Sequence, residues 1–133
     1  MNTGRSTRRR RRLSGDRGAV TVEVAGYTLL MLLALLIGVQ AVTWGLAALG
    51  ARYTANHAAQ QARVHGGTAA DGKADANTIL ASTVGTALND PHVDVNRSAT
   101  EVTVTVRGTA TSIIPGFHPP VTVTVHAPVE RIN

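Results

Sequence analysis

Between Glu23 and Arg52 lie 28 residues without a charged side chain, Val24 to Ala51. Their centre reads Leu29-Leu-Met-Leu-Leu-Ala-Leu-Leu-Ile37. A bilayer core about 30 Å thick needs ~20 apolar residues in a helix. This run exceeds that, with room for tilt. It holds no proline, so nothing breaks the helix early. The sequence therefore predicts a single transmembrane helix and leaves one small domain beyond it.

A formal charge of +5 and a pI near 11.1 would point to a nucleic-acid binder, but the charge is unevenly placed. Residues 1–18 carry seven arginines (Arg5, Arg8 to Arg12, Arg17) against Asp16, a net of +6. Residues 19–133 carry six basic and seven acidic side chains, a net of −1. Such an arm cannot bury apolar surface and is expected to be disordered. Arginine runs do bind phosphate. They also hold the flank of a hydrophobic helix on the cytoplasmic side. The arm abuts the helix, and no basic face lies elsewhere, so orientation is the favoured reading and no nucleic-acid partner is expected. A twin-arginine export signal is the weaker third option. The chain has no cysteine, hence no disulfide framework and no thiolate chemistry. Tyr27, Trp44, Tyr53 and Phe117 are its only aromatics, so a soluble core would be thin and would lean on the membrane or on partners.

The junction reads Gly18-Ala19-Val20-Thr21-Val22-Glu23. A glycine after the basic arm predicts an extended, open backbone where a peptidase can bind. Glu23 follows five residues later, at the edge of the apolar run. An ionisable group at that depth is costly and usually has a partner. The simpler reading places it near the helix N-terminus, where the macrodipole favours an anion.

The basic leader, Gly18, Ala19 and Glu23 together resemble the class III signal of type IV pilin-like proteins. The continuation Gly-Ala-Val-Thr-Val-Glu-Val-Ala is similar to the TadE-like pseudopilins of the tight-adherence (Flp) pilus machinery. Flp major pilins are much shorter and often carry Glu-Tyr, whereas Val24 follows Glu23 here, so the resemblance is to the minor class. It covers residues 17 to about 65, and the rest in outline. It implies removal of the leader between Gly18 and Ala19 by a prepilin peptidase. It also implies pairing of Glu23 with an Ala19 amine on a neighbouring subunit. A carboxylate in hydrocarbon does need such a cation.

Tyr27 and Trp44 are 17 residues apart, ~25 Å along a helix, as an aromatic belt at two interfaces requires. Past Ala51 the pattern turns amphipathic (Arg52, Asn56, Gln60, Gln61, Arg63), and Gly66-Gly67 should end the helix. Ala34, Ala41, Ala48, Ala55 and Ala62 recur every seven residues, and Gly38, Gly45 and Ala59 follow three of them by four. This small-residue stripe predicts a helix-packing face, unless it merely reflects abundant Ala and Gly.

Residues 66–133 are expected to form a small extracytoplasmic region. Thr68 to Gly72 reads as a polar loop. Lys73 to Asn89 reads as a second helix, capped by Asp71, with Ala76, Ile79, Leu80, Val84, Ala87 and Leu88 on one face. Asn89-Asp90-Pro91 should end it. His92 to Asn96 reads as a short strand, and Glu101 to Val106 and Val121 to Val125 alternate strictly. Ile113 to Pro120 is the connection. The expected fold class is α+β, a helix on a small antiparallel sheet behind a long N-terminal transmembrane helix.

His57, His65, His92, His118 and His126 show no metal-ligand spacing, and Asp71 and Asp75 read as solvated acids. No catalytic residue, metal or cofactor is expected. Two functions remain: a TadE-like pseudopilin aiding pilus assembly, and a signal-anchor protein with an extracytoplasmic binding module. Both place the N-terminus in the cytoplasm.

Overall fold

The computed structural model describes Met1 and residues 16–130. The arginine arm at Arg5 and Arg8 to Arg12 lies outside the described residues. The chain is α+β: α1 (Asp16–Arg63), α2 (Ala69–Ile79), β1 (Leu88–Arg97), β2 (Glu101–Ala110) and β3 (Pro120–Pro128). It divides into two compact units, Met1–Leu35 and Leu36–Asn133.

In the first unit every described side chain from Gly18 to Leu35 is exposed. The leucines that make α1 apolar therefore have no partner within this unit. α1 is long and apolar enough to cross a membrane.

The second unit includes the later half of α1. Here the helix buries Ala47, Ala51, Ala55, Ala58 and Ala62, spaced four, four, three and four apart along one face. Their core partners are Ile79, Leu80, Val84, Leu88 and Val93, with Val102, Val104 and Val106 of β2. Alanines serve because a small side chain lets the helix backbone approach its neighbours closely. Buried Thr54 closes its hydroxyl onto the Gly50 carbonyl at 2.9 Å, so no polar atom is orphaned there.

The sheet is antiparallel in the order β1-β2-β3. Val104 of central β2 pairs with Val95 on one side and Val125 on the other. Alternate residues face outward, where the Thr105 and Thr124 hydroxyls meet at 3.2 Å. All three strands are longer than alternation alone indicates, because ladder pairing continues past the Val/Thr repeats.

Several boundaries differ from the sequence expectation. α1 ends at Arg63, three residues before Gly66, which turns the chain at φ 79°. α2 starts at Ala69, not Lys73, because Thr68 rather than Asp71 is its N-cap. The Thr68 hydroxyl accepts from the Asp71 amide at 3.1 Å, and the Asp71 carboxylate accepts from the Thr68 amide at 2.9 Å and from its hydroxyl at 2.7 Å. This capping box satisfies donors that a helix start leaves open. The second helix also stops early. After Ile79 it widens into a π turn, Leu80–Val84, closed by the Gly85 amide on the Leu80 carbonyl. Asn89-Asp90-Pro91 is not a helix stop but a bulge in β1. Asp90 and Pro91 oppose the single residue Gly108, and Asp90 takes φ 48°. A side chain on Gly108 would collide with Leu88 and the Asn89 carbonyl. The expected apolar face survives: Ala76, Ile79, Leu80, Val84 and Leu88 are buried, with Ala87 packed against them.

Loss of the cap gives a first expected result. Thr68→Ala should lower stability by ~0.5–2 kcal/mol, the usual cost of an N-cap. The hydroxyl and amide of Thr68 also hold the Asp71 carboxyl below its ordinary value of 3.8. A depressed acid stabilises above its unfolded value and loses that contribution as pH falls through the folded one. The difference between wild type and Thr68→Ala should therefore narrow below pH 3.8. Thermal unfolding followed by Trp44 fluorescence checks both.

Candidate functional site

The predicted cleavage pair does not sit in extended chain. Gly18 and Ala19 lie in the first turn of α1, which begins at Asp16. Both are exposed, and nothing approaches within 4 Å of where a Cβ on Gly18 would stand. The first amides of a helix lack intrahelical acceptors, so its opening turn unwinds at little cost. Cleavage at this bond would require that turn to fray.

Glu23 lies seven residues beyond Asp16, past the first turn where a macrodipole acts. The dipole account of this carboxylate is correspondingly weak. Its contact is local: the Tyr27 hydroxyl donates to Glu23 Oε1 at 3.2 Å, one turn on, and both side chains are exposed. The ion pairs among the described residues are His57–Asp75, Arg63–Glu130 and His126–Glu101. Glu23 is in none of them. One neutral hydrogen bond leaves most of a carboxylate's acceptor capacity open.

The small-residue stripe is divided by burial. Ala55, Ala59 and Ala62 are buried in the second unit's own core. Ala48 and Gly45 are half-buried. Ala34, Gly38 and Ala41 are exposed. The last three are the members of the stripe left fully exposed.

A junction that hydropathy does not foretell sits at Gln40, the one amide side chain in the apolar run. It is only 5% exposed. Gln40 Oε1 accepts from the Ile113 amide at 2.9 Å and from the Ser112 hydroxyl at 3.0 Å. Gln40 Nε2 donates to the Thr111 carbonyl at 3.4 Å. One helical turn on, the Trp44 indole donates to the Pro120 carbonyl at 3.1 Å. These two residues pin the β2–β3 connection to α1. Beside them Ile37, Ala41, Trp44, Phe117 and Pro119 line an apolar groove of about 450 Å³.

A second cleft of about 580 Å³ is bordered by Lys73, Asp90, His92, Asp94 and Arg107, with both signs of charge mixed. His57 rests on the Tyr53 ring and pairs with Asp75 at 3.2 Å. His126 pairs with Glu101 at 2.8 Å. Among the described residues no three of His, Cys, Asp or Glu converge as a metal site would require.

These features define a class: a small α+β module built on the later half of a helix long and apolar enough to anchor in a membrane. Comparisons with protein-family models, curated proteins and solved structures find no match.

Proposed function

We propose that this chain is a TadE-like pseudopilin, a structural membrane protein that aids assembly of a tight-adherence pilus. The observation that carries the reading is Glu23. It is a carboxylate at the edge of an exposed apolar helix, held only by the Tyr27 hydroxyl among the described residues. It stands five residues after Gly18, itself preceded by an arginine-rich arm. A carboxylate so placed calls for a cation, and a freed Ala19 amine on a neighbouring subunit supplies one. In this reading the arm stays cytoplasmic, the module faces outward, and Ala34, Gly38 and Ala41 pack against other helices. The partners are the membrane, a prepilin peptidase, and other pilin subunits with their assembly machinery.

A signal-anchor protein with an extracytoplasmic binding module is the second reading. Burial of Ala55, Ala59 and Ala62 within the module favours it, since that part of the stripe is already occupied.

Processing separates the two. Co-expression with a prepilin peptidase should shorten the chain by 18 residues, leaving Ala19 first. Gly18→Val should abolish cleavage by adding bulk at the open position. Mass spectrometry of purified protein reads both. A full-length wild-type product beside an active peptidase would leave the anchor reading standing.

A further inference from the structure

We propose that the connection from Thr111 to Pro120 seats in the outer edge of the lipid bilayer, with Ile113 and Phe117 against acyl chains. This rests on reading α1 as a membrane anchor, and three observations carry it. The first is composition. The segment Thr-Ser-Ile-Ile-Pro-Gly-Phe-His-Pro-Pro carries no Asp, Glu, Lys or Arg, and Ile113 and Phe117 stand 44% and 46% exposed. Lone exposed apolar residues are ordinary on soluble proteins. Here Phe117 lines an apolar groove shared with Ile37 and Trp44.

The second observation is level. The segment is fixed to α1 at Gln40 and Trp44, inside the charge-free run. Counted along the sequence from Val24, the ~20 residues that span a bilayer core reach about Thr43. The attachment points therefore fall where the hydrocarbon gives way to the interface, a depth at which tryptophan is enriched.

The third observation is the backbone. A loop at membrane depth must satisfy its polar groups inside the protein. Pro115, Pro119 and Pro120 have no amide hydrogen. The Ile113 amide donates to Gln40 Oε1, the Ile114 amide to the Ser112 hydroxyl at 3.1 Å, and the Phe117 amide to the Ile114 carbonyl at 3.2 Å. The last bond closes a turn with Pro115 and Gly116 at its corners, and Gly116 takes φ 76° as such a turn requires. The same account explains why a glutamine interrupts the apolar run: it supplies the loop with hydrogen bonds that lipid cannot.

The chain has no cysteine, so single-cysteine labelling of the full-length protein tests this directly. Phe117→Cys, Leu33→Cys and Thr100→Cys would each carry the fluorophore NBD, in vesicles of phosphatidylcholine and phosphatidylglycerol. Thr100 is exposed at the opposite end of the sheet. The label at 33 should lose emission to nitroxide lipids labelled near the acyl terminus. The label at 117 should lose it to nitroxides near the glycerol, and the label at 100 only to aqueous iodide. If 33 is quenched by lipid while 117 behaves like 100, the anchor stands and the loop proposal falls. If 117 is reached by neither lipid nor iodide, protein covers the loop, and the proposal again falls. If 33 is not quenched by lipid, the anchor reading fails and takes the loop with it.

Discussion

Gly72→Val should destabilise the second unit by ~1–3 kcal/mol, the range for forcing bulk into a packed core. Gly72 lies within α2, where replacing glycine ordinarily gains helix propensity, up to ~1 kcal/mol for alanine. The surroundings reverse that sign. A Cβ at Gly72 would stand 2.8 Å from the Ala58 carbonyl oxygen and 3.0 Å from the Ala62 Cβ. The first obstacle is backbone of another helix, which cannot rotate aside. Even Gly72→Ala should therefore lose stability, and valine, with two more carbons, should lose more. Gly45→Ala is the matched control, because nothing lies within 4 Å of its Cβ position. It should be neutral or slightly stabilising. For a unit of about this size each kcal/mol moves the melting temperature by roughly 4–8 °C. Trp44, the only tryptophan and hydrogen-bonded to Pro120, reports the transition in detergent-solubilised protein. A Gly72→Val protein melting with wild type would show that α1 and α2 are not held in this contact.

How far the sequence foretold this architecture depends on whether each signal is local. α1 was legible because absence of charge over such a length has few other outcomes. The strands were legible because Val/Thr alternation writes one buried and one solvated face directly. Boundaries were less so. Asp71 has the chemistry of a cap, but it sits three residues inside a box whose cap is Thr68. Asn89-Asp90-Pro91 has the chemistry of a stop, yet pairing of Leu88 and Asn89 with Ala110 and Thr109 holds it in the sheet as a bulge. Glu23 could be singled out because a charge at the rim of an apolar run is conspicuous. Gln40 could not be assigned a role, since its partners are 71 to 73 residues away. A lone amide amid apolar neighbours was the available sign. Small residues at a seven-residue period likewise do not say whether their partner is another helix or the chain's own core. At Ala55, Ala59 and Ala62 the core has them.

Glu23→Gln should leave insertion and leader removal intact while abolishing co-purification with pilus subunits and reducing piliation. Glutamine is nearly isosteric with glutamate, and its carbonyl can still accept from the Tyr27 hydroxyl that now meets Glu23 at 3.2 Å. The substitution thus removes the charge and little else. If Glu23 serves only as an interfacial residue, water and headgroups solvate either side chain and the variant behaves as wild type. If it pairs with the Ala19 amine of a neighbour, the change strands that cation in a low-dielectric site. Breaking a buried pair from one side typically costs ~3–5 kcal/mol in soluble proteins. Snorkelling toward the headgroups lowers the figure. Even ~1.4 kcal/mol is tenfold in an association constant, enough to be lost in a pull-down. Tyr27→Phe is the companion variant. It deletes the intrachain hydrogen bond and keeps the charge, so it should co-purify with subunits as wild type does. Glu23→Gln retaining crosslinks and pili, or Tyr27→Phe losing them, would place the role of this turn in its local hydrogen bond rather than in a charge shared between subunits.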